Sequence, residues 1–107
     1  MTKFELFCVV FYVLDASYDE NTNDSLRQFL SDANPFVFSD VGSADPAVYE
    51  EFCNVVDVDI TISNSYELAK KYIDQLNDSV LTKAFGSIST DDWIKGVTEY
   101  LNSPHKK

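Results

Sequence analysis

The stretch Phe4-Glu-Leu-Phe-Cys-Val-Val-Phe-Tyr-Val-Leu14, wound as a helix, is apolar around nearly its whole circumference. Phe4, Phe7, Phe11 and Leu14 form one stripe, and Leu6, Val10 and Val13 nearly fill the opposite side. A helix with so little polar face sits at the centre of a core or is covered in part by a second protein. The run is too short to cross a bilayer, which takes about 20 apolar residues. A cleaved leader is disfavoured as well. One lysine precedes the run, Glu5 lies within its start, and Leu14-Asp15-Ala16 is a poor cleavage site. Thr2-x-x-Glu5 reads instead as the capping box of a folded helix. The expected location is cytoplasmic, where the sequons at Asn23 and Asn77 have no consequence.

Further helix starts recur along the chain. After a polar break from Asp15 to Asp24, Ser25-x-x-Gln28 opens a short helix that buries Leu26, Phe29 and Leu30. Asn34-Pro35 stops it, because the residue before proline is pushed out of the α region. Gly42 marks a turn, and Asp45-Pro46 supplies an N-cap acceptor followed by proline at the first helical position. Val48, Phe52, Val55 and Val56 then make one buried face, with Glu50 and Glu51 outward. Asn64-x-x-Glu67 begins a helix carrying Ala69, Tyr72, Ile73 and Leu76 at helical spacing. Asp78 opens a short helix that Gly86 would end as a C-cap. Ser89-x-x-Asp92 starts the last helix, which buries Trp93, Ile94, Val97 and Leu101 before Ser103-Pro104.

One segment breaks this rhythm. Val58, Ile60 and Ile62 alternate with Asp57, Asp59 and Thr61, a period of two that suits an extended, half-buried chain. Phe36-Val37-Phe38 is its candidate partner in a small two-stranded β patch, which would need helices packed on it. The expected fold is therefore mainly α: one compact 107-residue domain, a bundle of five or six short helices, with that patch as an option. Cys8 and Cys53 sit far apart inside apolar runs and read as buried thiols, a single bridge between packed helices being the alternative.

Charge is distributed unevenly. From Phe4 to Ala69 there are thirteen acids against Arg27, a net −12, whereas the remainder from Lys70 onward is close to neutral. This disfavours direct nucleic-acid binding, which needs clustered lysine or arginine, and the expected partner is not a nucleic acid. Catalytic chemistry finds no support either. The only histidine is His105, near the last residue, and the adjacent pairs Glu50-Glu51 and Asp91-Asp92 diverge by about 100° on a helix. Asp19-x-Asn21-x-Asn23 resembles the start of a calcium loop, but Asp24 stands where glycine belongs and Leu30 where the closing glutamate belongs. The reading expects no enzyme, no cofactor and no metal.

Two readings remain for the acids. They keep a small protein soluble, or they form one face that attracts a basic partner and speeds the encounter. In the second reading the contact residues are Asp15, Tyr18, Asp19, Glu20, Asp24, Asp40, Asp45, Tyr49, Glu50, Glu51, Asp57 and Asp59, the two tyrosines acting as anchors. In size, acidity and helix content the chain resembles bacterial immunity proteins that cover the basic active surface of nuclease-like toxins. That resemblance is one of overall profile and transfers no site residue. It implies an inhibitor of a basic protein. The alternative is a structural homodimer or assembly subunit joined through the apolar first helix.

Overall fold

The computed structural model describes residues 1–17, 24–36 and 42–103. Six helices follow one another: α1 (Lys3–Ala16), α2 (Asp24–Ala33), α3 (Pro46–Val55), α4 (Ile62–Gln75), α5 (Ser79–Gly86) and α6 (Thr90–Leu101). The mainly α expectation holds, and none of the helices is long and apolar enough to cross a membrane.

Helix α1 resolves its apolar circumference by occupying the centre. Phe4, Leu6, Phe7, Cys8, Val9, Val10, Phe11 and Leu14 are all buried, and α1 packs against each of the other five helices. Each large apolar side chain so buried contributes about 1.5–3 kcal/mol, offset by the entropy of ordering it. Its start is set locally. The Thr2 hydroxyl accepts from the Glu5 backbone N–H at 3.0 Å, and the Glu5 carboxylate accepts from the Thr2 N–H at 2.8 Å. The box closes as its sequence implies.

The outer helices are held by the same local devices. Asp45 caps α3 through the Ala47 N–H at 3.1 Å, with Pro46 at the first helical position. Backbone bonds from Ala44 N to Asn34 O (2.9 Å) and from Asp45 N to Asp32 O (2.8 Å) tie the start of α3 to the end of α2. Gly42, at φ +152°, takes a conformation open only to glycine within that connection. Asp78 caps α5 and Ser89 caps α6. Between α4 and α6 the indole N–H of Trp93 donates to the Ser65 hydroxyl at 2.9 Å, and both residues are fully buried.

Four expectations are corrected. Among the described residues there is no strand. Val58 lies in a bend and is 58% exposed, Ile62 is 42% exposed, and Ile60 alone of the alternating residues turns inward. The cause is a cap. Thr61 N donates to the Asn64 side chain (2.8 Å) and Thr61 Oγ1 accepts from Asn64 N (3.2 Å), so the segment is drawn into the N-terminus of α4. That cap also starts α4 at Ile62, with Asn64 as the reciprocal acceptor rather than the N-cap. The proposed strand partner fares no better, since Phe36 sits in a turn closed on the Asn34 side chain; residues 37 and 38 lie outside the described residues. Gly86 is the last residue of α5, not a left-handed cap; the left-handed position is Asn77 (φ +54°), after α4. Ile94, expected in the core, is 40% exposed, because Trp93 and Val97 take the buried stripe of α6.

Candidate interaction surfaces

The acids named from sequence divide by their place in the fold. Asp45, Glu50, Glu51, Asp57 and Asp59 lie on α3 and the segment that leaves it, all exposed. Glu51 accepts a hydrogen bond from Gln75 of α4 at 3.2 Å, and Asp57 lies 3.5 Å from the Lys3 ammonium, which also donates to the Cys53 carbonyl. Asp15 stands exposed near the end of α1, lining a shallow groove with Arg27 and Asn34. Asp24 opens α2 and lies 3.4 Å from Arg27. Tyr18, Asp19, Glu20 and Asp40 lie outside the described residues, as do Asn21 and Asn23 of the calcium-like segment. The described remainder of that segment is helical, and Leu30, at the position of the closing glutamate, is buried.

Tyr49 is half-buried and packs on the edge of the core. Its ring meets Phe4 and Phe7 edge-on at centroid distances of 5.6 and 5.2 Å, and it lies beside Phe52. Burial first, then a hydrogen bond with the Cys53 thiol, raises its pKa above the ordinary phenol value. The Tyr72 phenol is raised in the same way by burial and then by the Glu51 charge. Cys8 and Cys53 are reduced thiols, the first buried and the second half-buried. No group of three His, Cys, Asp or Glu side chains among the described residues could hold a metal ion.

A different surface emerges between α1 and α6, and sequence reading overlooked it. A cavity of about 430 Å³ opens there. Val9, Tyr12, Val13 and Ala16 line one wall, and Gly96, Glu99, Tyr100 and Ser103 line the other. Both sets follow the spacing i, i+3, i+4, i+7; the first is one stripe of α1, and the second runs along α6 to Ser103, two residues past its end. Tyr12 is 44% exposed although it belongs to the most buried helix, and its ring lies 5.4 Å from Phe36, itself 39% exposed, and 5.8 Å from Tyr100. The Tyr100 hydroxyl is buried and makes no hydrogen bond of normal geometry among the described residues. Burial, then the adjacent Cys8 thiol, raises its pKa.

Gly96 is the least expected residue of this surface. A glycine inside a helix costs about 1 kcal/mol relative to alanine. Its φ is ordinary, and a Cβ built on it would meet nothing within 4 Å. Neither backbone conformation nor close packing among the described residues calls for glycine here. Among the described residues its missing side chain leaves that part of the cavity wall bare.

Among the described residues, then, six helices carry exposed acids and an aromatic-edged groove. Comparison with protein-family models, with curated proteins and with solved structures yields no match to this chain.

Proposed function

We propose that this protein works by binding another protein whose contact surface is basic, acting as an inhibitor or immunity-type protein that covers that surface. The observation that carries the reading is the state of its carboxylates. Asp15, Asp45, Glu50, Glu51, Asp59 and Glu67 are all exposed, and none of them forms an ion pair among the described residues. Asp24 and Asp57 have one cation each, in exposed pairs of little energetic weight. Uncompensated charge of one sign costs self-repulsion in the isolated molecule and favours encounter with a surface of opposite sign.

Assembly of identical copies through α1 is the second reading, and the structure narrows it. Since α1 is enclosed by the other five helices, such an assembly would have to use the strip around Tyr12, Val13 and Ala16. The two readings separate in one experiment. Partners are captured from a lysate of the source cell at low salt and at about 1 M, where charges are screened beyond about 3 Å. Wild-type protein is run beside a variant carrying Glu50→Gln, Glu51→Gln, Asp57→Asn and Asp59→Asn. A basic protein released by salt and held more weakly by the variant supports the inhibitor reading. A partner whose retention ignores both salt and variant refutes it, and a salt-insensitive homodimer in ultracentrifugation supports assembly.

A further inference from the structure

We draw no further inference here: the strongest candidate, the surface patch at the connection between α3 and α4 where Asp57, Val58, Asp59 and Ile62 are exposed, carries nothing, because Lys3 already pairs with Asp57 and nothing in the structure shows what covers the apolar side chains.

Discussion

Replacing Gly96 with alanine adds one methyl group to the open side of α6, and the structure allows its effect to be worked out. In a helix interior alanine is favoured over glycine by about 1 kcal/mol, mainly because glycine loses more backbone freedom on folding. Packing neither adds to this nor subtracts from it, since nothing lies within 4 Å of the new atom. The backbone at Gly96 has no positive φ to strain. For a domain of this size the gain corresponds to a rise in Tm of about 4 °C. Thermal unfolding followed by circular dichroism at the helical band measures it directly. A fall in Tm would refute the reasoning, because it would mean that the space beside Gly96 is filled in the folded protein.

Two further outcomes follow from buried polar groups. Ser65→Ala removes the acceptor of the Trp93 indole N–H and leaves that donor buried without a partner, so stability should fall by about 1–3 kcal/mol. Trp93 is the only tryptophan, so its own fluorescence reports the urea transition, and an unchanged midpoint would show that the 2.9 Å bond carries no net weight. Alkaline pH should unfold the protein. Tyrosine in the unfolded chain loses its proton near pH 10, whereas Tyr49, Tyr72 and Tyr100 keep theirs to higher pH when folded. The native state then holds more protons than the unfolded one, and stability falls as pH rises above about 10. Tyr72 alone should bring the slope to about half of 1.4 kcal/mol per pH unit at pH 10 and close to the full value by about pH 11, with Tyr49 and Tyr100 adding in the same direction. Denaturant midpoints that stay flat from pH 9.5 to 11, roughly the window of phenol ionisation, would contradict these burials.

Much of the helical layout was legible because its signals are local. Thr2, Asp45, Asp78 and Ser89 each satisfy N–H groups within three residues of themselves, and a bond of that range needs no tertiary context. Where two local signals competed, reading failed. The alternating Val58, Ile60 and Ile62 suggested an extended chain, yet the Thr61 and Asn64 cap took the segment into α4. Without a partner strand among the described residues, alternation has nothing to hold it. Ile94 was misplaced because it flanks Trp93, and only the orientation of α6 against α4 decides which of the two faces inward.

For the residues of the proposed interaction surface the balance is mixed. That Glu50, Glu51, Asp57 and Asp59 remain exposed follows from the cost of burying an unpaired charge, and sequence suffices to expect it. Tyr49 lay among acids in sequence, but its ring is taken up by Phe4 and Phe7, which α1 contributes from more than forty positions away.

By itself, then, the sequence determined that the first helix must be covered around most of its circumference, that most of its neighbours start where their caps stand, and that the chain is acidic. Each of these follows from a residue's own chemistry or from bonds spanning one turn. That the other helices take up α1 nearly all round, and that its Tyr12, Val13 and Ala16 strip lies beside Gly96 and Tyr100 at the end of α6, only the tertiary structure decided. Val9 and Gly96 are brought to one groove by the packing of five helices around a sixth, a sum of many weak contacts that no single stretch of sequence encodes.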